Sequence, residues 1–236
     1  MARRARSVAV LTADVVGSSR YSSADRRKLD RIIRLAFAEV ERRFPGAIHT
    51  QMAFRITAGD EFQCVIADAP RALDIVAYLR AVVATGGLTP PVRLRASVGI
   101  GAITTPRRAN PYEEDGPAFV NARQGLEEIH RARSLRDTAL VTRSPEVDAA
   151  ADAVLSLMDF IQRSWTVPQW EAVRWSLLGF TREAIASKLK VAHQNVTKRL
   201  RAAGWPHCET AWAFLRELIE RDIRTRQRVQ KQAAPR

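Results

Sequence analysis

Cysteine is almost absent from this chain: Cys64 and Cys208 are the two in 236 residues, far apart and outside any CxxC or Cys/His spacing. That excludes a disulfide scaffold and a zinc finger and suits a reducing compartment, so a cytoplasmic protein is expected. Long apolar runs are missing too, and none approaches the roughly 18 residues a membrane span needs. The basic start, Met1-Ala-Arg-Arg-Ala-Arg, leads into an apolar stretch too short for a signal peptide, with no small-residue cleavage site after it. No G-x-S-x-G, Walker or Rossmann fingerprint occurs, which leaves hydrolase and dehydrogenase readings without support. Acidic residues are in deficit, 25 Asp+Glu against 38 Lys+Arg, for a formal net charge of +13. The expectation is a soluble, strongly basic protein with no membrane partner and a polyanion as its macromolecular partner.

What is present is unevenly distributed. Residues 1–150 hold 23 basic and 17 acidic residues, whereas residues 151–236 hold 15 and 8, so the C-terminal part is about twice as dense in net charge. All five tryptophans lie there as well. Arg143-Ser-Pro-Glu-Val-Asp reads as a boundary, with Pro145 breaking a strand and Ser144 able to cap a helix. The expected organisation is a first domain over residues 1–145, a helical domain over 146–226 and a basic tail over 227–236.

The first part alternates in type. Residues 7–11 form a short apolar run fit for a buried strand, followed by a polar loop over 14–23. Residues 24–44 read as a helix, with Leu29, Ile32, Ile33, Ala36, Phe37, Val40 and Phe44 on one face. Residues 51–57 and 61–67 are strand-like around the turn Ala58-Gly59-Asp60. A helix over 70–85, a strand over 92–103, a helix over 117–133 and a strand over 138–142 complete the order β-α-β-β-α-β-α-β. This predicts an α+β fold, a ferredoxin-like sheet with one extra unit, mainly antiparallel and with its helices on one face.

Two acids stand out in that order. Asp14 follows the first strand and Asp60 sits in the turn between the second and third; a ferredoxin-like sheet brings the two strands together as neighbours. Paired carboxylates at one sheet end suit Mg²⁺, which takes one or two carboxylates plus phosphate oxygens. Val15, Val16, Gly17, Ser18, Ser19 and Arg20 offer backbone N–H groups, a close-approach glycine, hydroxyls and a cation, which suits phosphates. Gly59 joins them as a candidate close-approach residue. The alternative is that Asp14 caps a loop and Gly59-Asp60 is only a turn. His49, His130 and His207 have no partner acids at ligand spacing and are expected at the surface, and Cys64 is expected in the core.

Leu11-Thr-Ala-Asp-Val-Val-Gly-Ser-Ser resembles the metal-binding F-x-D-I-V-G segment of class III nucleotidyl cyclases. Ile56-Thr-Ala-Gly-Asp-Glu-Phe resembles both their K-x-x-G-D hairpin and the GGDEF hairpin of diguanylate cyclases. The set D-V-V-G-S-S-R, T-A-G-D-E-F-Q, G-I-G-A-I and D-G-P-A-F with Ala122-Arg123 is similar, more closely, to the SatD family. That resemblance implies a degenerate nucleotide-cyclase-type domain coupled to a helix-turn-helix, with a purine nucleotide or cyclic nucleotide and Mg²⁺ as ligands and a homodimer as the assembly. Departures bear on catalysis. The purine-selecting lysine of a cyclase falls at Ile56, and the N-x-x-x-R pair is not reproduced, since Asn121 and Arg123 point to different faces of a helix. The first glycine of GGDEF is Ala58. Binding is therefore expected over turnover, because catalysis depends on groups aimed at developing charge.

The second part carries a helix-turn-helix pattern. Trp170, Val173, Leu177 and Leu178 give a first helix its apolar face, and Thr181 caps a second with Ala184, Ile185 and Leu189 inward. A turn through Lys190, Val191 and Ala192 leads to a third helix over 193–203. Its exposed positions read Gln194, Asn195, Thr197, Lys198 and Arg201. Gln and Asn pair with adenine, Thr contacts a base or phosphate, and Lys and Arg suit guanine or backbone. Lys190 stands where such turns usually have glycine, and His193 sits at the helix start as a phosphate contact or a cap. The alternative is a three-helix packing module with a solvated polar face. The tryptophans are expected as core. Together these readings predict a regulator that binds double-stranded DNA and is tuned by a nucleotide; the alternatives are an active metal-dependent cyclase and a DNA-binding protein with an inert cyclase relic.

Overall fold

Residues Val8–Val15 form strand β1, and every one of them is buried. A strand covered on both faces reads as a continuous apolar run rather than an alternation, and this explains the run at residues 7–11. The structure, a computed structural model, describes residues 7–49, 54–58, 60–103, 116–131 and 136–232. After β1 come α1 (Ser23–Arg43), β2 (Arg55–Ala58), β3 (Glu61–Ile66), α2 (Ala72–Ala84), β4 (Leu94–Gly101), α3 (Pro117–Arg131) and β5 (Thr138–Val141). The strands lie in the order β2-β3-β1-β4-β5. Three pairings are antiparallel, and β4 with β5 is parallel. The α+β class and the ferredoxin-like order with one extra unit are as the sequence predicts.

Two expectations need correction. Asp14 does not open a loop: β1 runs through it, and Asp14 pairs in register with Arg95 of β4. The helices do not share one face. Ala9, Leu11, Ala13 and Val15 of β1 pack in one core with α1 and α2, whereas Val8 and Val10 pack with Ala118, Phe119 and Ala122 of α3 on the other. Strand β4 explains the second arrangement. Its alternate residues Ser97, Gly99 and Gly101 are small, so α3 lies almost on the backbone. A Cβ added at Gly99 would stand 2.2 Å from Ala118 O and 2.3 Å from Ala122 N. The G-I-G-A-I segment thus serves helix packing.

Five helices follow: α4 (Pro145–Arg163), α5 (Val167–Ser176), α6 (Arg182–Leu189), α7 (His193–Ala202) and α8 (Trp205–Gln232). The sequence marks Pro145 as a boundary; the structure makes it the first residue of α4, whose Asp148 binds back to Thr142 N (2.8 Å) and Thr142 Oγ1 (2.7 Å). One cluster of buried side chains runs without a break from the sheet through α2 to α5, α7 and α8. Trp165, Trp170, Trp205 and Trp212 are buried in it, as expected, and so is Cys64. Among the described residues no helix is long and apolar enough to cross a membrane.

A buried ion-pair network fastens α4 to the sheet edge. Arg80 of α2 donates to Asp159 Oδ1 of α4 (2.9 Å), Thr138 Oγ1 (2.7 Å) and Leu94 O (3.0 Å). The other oxygen of Asp159 accepts from the N–H groups of Asp137 and Thr138, both at 2.7 Å. The Asp159 side chain is 1% exposed. Removing one partner of such a pair strands a charge and two backbone donors, which typically costs about 3–5 kcal/mol. Asp159→Ala should lower the unfolding free energy by about that amount in urea titration. A loss below about 1 kcal/mol would show that the network adds little to the fold.

Candidate functional site

The end of β1 carries the first candidate site. Asp14 is buried, and its Oδ2 accepts from His130 Nε2 of α3 at 2.7 Å and lies 3.5 Å from Arg95 Nη1. Asp60, in the turn before β3, accepts the Val15 N–H through Oδ2 at 3.3 Å. The structure therefore brings the two acids to the same end of the sheet, close enough for Asp60 to act electrostatically on Asp14. His130 is exposed, as the sequence predicts, but it does have a partner acid. Its partner acid comes from a distant strand, and only the crossing of α3 over β1 and β4 joins them. Arg95 was legible as the first residue of a cyclase-like strand motif, Arg95-Ala-Ser-Val-Gly-Ile-Gly, and its approach to Asp14 was not. Gly59 lies outside the described residues.

The charge balance at Asp14 is unusual. Burial pushes its carboxyl up from the ordinary value, and the charges of His130 and Arg95 only partly oppose this. Its Oδ1 is buried without a hydrogen-bond partner among the described residues, as are Thr12 Oγ1 and Ser97 Oγ. Thr12 and Ser97 are register partners on the same sheet face. Buried oxygens left without a partner call for water or a cation. Among the described residues no group of three His, Cys, Asp or Glu side chains could hold a metal alone. Two hard carboxylates with a free oxygen do suit Mg²⁺, provided phosphate oxygens and water supply the remaining ligands.

The expected phosphate loop divides in two. The Val15 side chain is in the core and its N–H is taken by Asp60. Val16 N donates to Arg93 O (2.9 Å) and Arg20 N to Gly17 O (3.0 Å), while Ser18 O accepts from Tyr21 N (3.2 Å). Gly17 adopts φ 71°, a left-handed conformation that favours glycine. Val16, Gly17 and Arg20 line a cavity of about 600 Å³ with Tyr21, Asp25, Thr89, Pro90, Pro91 and Arg93. Ser18 and Ser19 are outside its lining, and so are Asp14 and Asp60. A ligand spanning both features would pass around the end of β1.

Helices α6 and α7 form the second candidate site. Thr181 accepts from Ala184 N at 3.3 Å and starts α6. Lys190 ends it in a left-handed conformation at φ 53°, so the lysine takes up the geometry usually given to glycine. Ile185, Ala186, Val196 and Leu200 are buried between the helices. Lys190, Gln194, Asn195, Lys198 and Arg201 are exposed, whereas Thr197 is half-buried. His193 Nε2 lies 3.2 Å from Glu183 Oε1, so that histidine faces an acid of its own chain.

The groups associated with cyclase turnover are placed elsewhere. Asn121 is buried, donates to Ile100 O (2.9 Å) and accepts from Arg143 Nε (2.7 Å). Arg123 is exposed on another side of α3, and Ile56 is an exposed apolar residue.

Comparison with known proteins gives three findings. The model of the SatD family matches residues 8–206. No curated protein matches the chain. Among solved structures, the chain is similar to the non-canonical dimeric guanylyl cyclase domain of the RhoGC fusion protein from the aquatic fungus Blastocladiella emersonii. That similarity has 17% identity over 52% of this chain and 74% of that one, with a TM-score of 0.38.

The raised carboxyl of Asp14 has a defined consequence for stability. A group protonated more readily in the folded state contributes stability below its unfolded pKa, about 3.9 for Asp, and loses it as pH rises through the folded value. Asp14→Asn should therefore be more stable than the parent chain at pH 7. The gap should close as pH falls towards about 4. Urea midpoints across that range check it; equal stability at pH 7 would contradict the burial-dominated balance.

Proposed function

The chain belongs to the SatD family, and from that premise we propose that it is a DNA-binding regulator whose sheet-end site takes a nucleotide. The observation that carries the DNA reading is the outer face of α7. Gln194, Asn195, Lys198 and Arg201 are exposed, and neither Lys198 nor Arg201 has an ion-pair partner among the described residues. Three other cations of the helical part, Arg174, Arg199 and Arg216, are instead paired internally, with Glu39, Glu171 and Asp74. Unneutralised cations interleaved with amides on one short helix suit a phosphate backbone and base edges. The helix crossing at Ala186 and Val196 supports a helix-turn-helix reading of α6 and α7.

At the sheet end, Asp14 and Asp60 would hold Mg²⁺, with Gly17 and Arg20 on the phosphates. The ion would supply positive charge against those phosphates. Asp14 has a free buried oxygen and a carboxyl whose ionisation is costly, and a bound cation relieves both. Binding is favoured over turnover because Asn121 is committed to Ile100 and Arg143, and Arg123 does not share its face.

The two roles on α7 separate experimentally. Lys198→Ala should weaken binding to all duplexes alike and reduce the salt slope by about one. Asn195→Ala should cost roughly 1–3 kcal/mol, mainly on a sequence enriched by selection from a random pool. Fluorescence anisotropy over a salt series reads both. Absence of duplex binding by the full chain would remove the regulator reading, and equal losses on every sequence would remove Asn195 from base recognition.

A further inference from the structure

Among the described residues, one side of α4 is uncharged over most of its length and largely exposed, with Ala150 and Ser156 half-buried. Between Glu146 and Ser164 it presents Ala149, Ala150, Ala153, Ser156, Leu157 and Phe160, at the three- and four-residue spacing of a single helical stripe. Leu157 is 67% exposed and Phe160 73%. The opposite side of the same helix, with Val147, Ala151, Leu155 and Met158, is already buried. The stripe is therefore surplus to the chain's own packing.

Its side chains are sorted by size. Alanines occupy the N-terminal half and the leucine and phenylalanine the C-terminal half. About a two-fold axis at Leu155, an antiparallel copy would set Phe160 against Ala150 and Leu157 against Ala153, twice over. Each bulky group would fill the space above a small one, as an isologous contact requires. The antiparallel arrangement also aligns the helix dipoles favourably. A chain of net charge +13 repels its own copies, so a self-contact needs a face without cations, and this stripe provides one.

The surface extends beyond α4. Helix α8 runs antiparallel beside it: Trp165 Nε1 donates to Ala203 O (2.8 Å) at one end, and Arg226 donates to Thr142 O at the other. Phe214 of α8 is 45% exposed, while its neighbours Ala211 and Leu218 are half-buried against the core. A stable interface covers about 800 Å² per partner. A 19-residue helix is about 28 Å long and supplies part of that area, with the α8 flank adding to it.

We propose that this α4 face is a homodimer interface and that its occupant is a second copy of the chain. The inference stands apart from the nucleotide and DNA readings. Sedimentation velocity on the full chain at micromolar concentration should show the mass of two chains. The double variant Leu157→Glu, Phe160→Glu should show the mass of one, with unchanged far-UV circular dichroism because both residues are exposed. Independently, Ser156→Cys, next to the proposed axis, should form an oxidised dimer, whereas Ser187→Cys on α6 should not. A monomeric parent chain would overturn the proposal, with the face bare or covered by another partner. So would a double variant that remains dimeric, or failure of the Ser156→Cys cross-link.

Discussion

The Arg80–Asp159 pair is the contact on which the rest of the structure depends. Arg80 reaches from α2 to both the last strand and α4, and Asp159 returns the contact by accepting the N–H groups that open β5. Strand β5 is four residues long and sits at the sheet edge, so little else fixes its start. Asp137, beside it, is held below the ordinary carboxylate range: burial would raise it, but Arg163 and Arg93 outweigh that effect. Burying this many charges is tolerable only because their donors and acceptors are matched almost throughout. The sheet edge is consequently built jointly with a helix that the charge distribution assigns to the other half of the chain.

Helix α2 extends the same principle. All of its residues are buried, since the sheet covers one side and the C-terminal helices cover the other. Asp74 holds Arg216 of α8 through two bonds, and Glu39 of α1 binds both Tyr78 of α2 and Arg174 of α5. Helix α7 packs on α5 and α8, so its outer face has a fixed relation to the end of β1. In the proposed function, occupancy at Asp14 would act on a body that already includes α7, with no flexible joint needed between them. The α4 surface belongs to that body too, which would make two-fold pairing and DNA contact parts of one geometry.

Sequence reading recovered the elements whose burial is one-sided or local. The periodicity of α1 and the capping Thr181 each carry their signal within a few residues. What it missed depends on distant partners. The pairing of Asp14 with His130 exists only because α3 lies across β4, and that position follows from three small residues, Ser97, Gly99 and Gly101, whose packing meaning is silent until a helix rests on them. The run over residues 7–11 did hold a clue: a strand without polar alternation is covered on both sides. Helix α4 falls within the expected helical domain; what the sequence does not show is that Asp159 and Asp148 of that helix fasten it to both ends of β5, as part of the sheet edge.

The central claim is that sheet and C-terminal helices form a single cooperative body, and unfolding tests it most directly. All five tryptophans report on the helical part, while amide exchange in β1, β3 and β4 reports on the sheet. In a urea titration of the full chain, the account predicts coincident midpoints for tryptophan emission and for sheet amide protection, as a two-state transition requires. Sheet amides that stay protected after the tryptophan emission has shifted would contradict it.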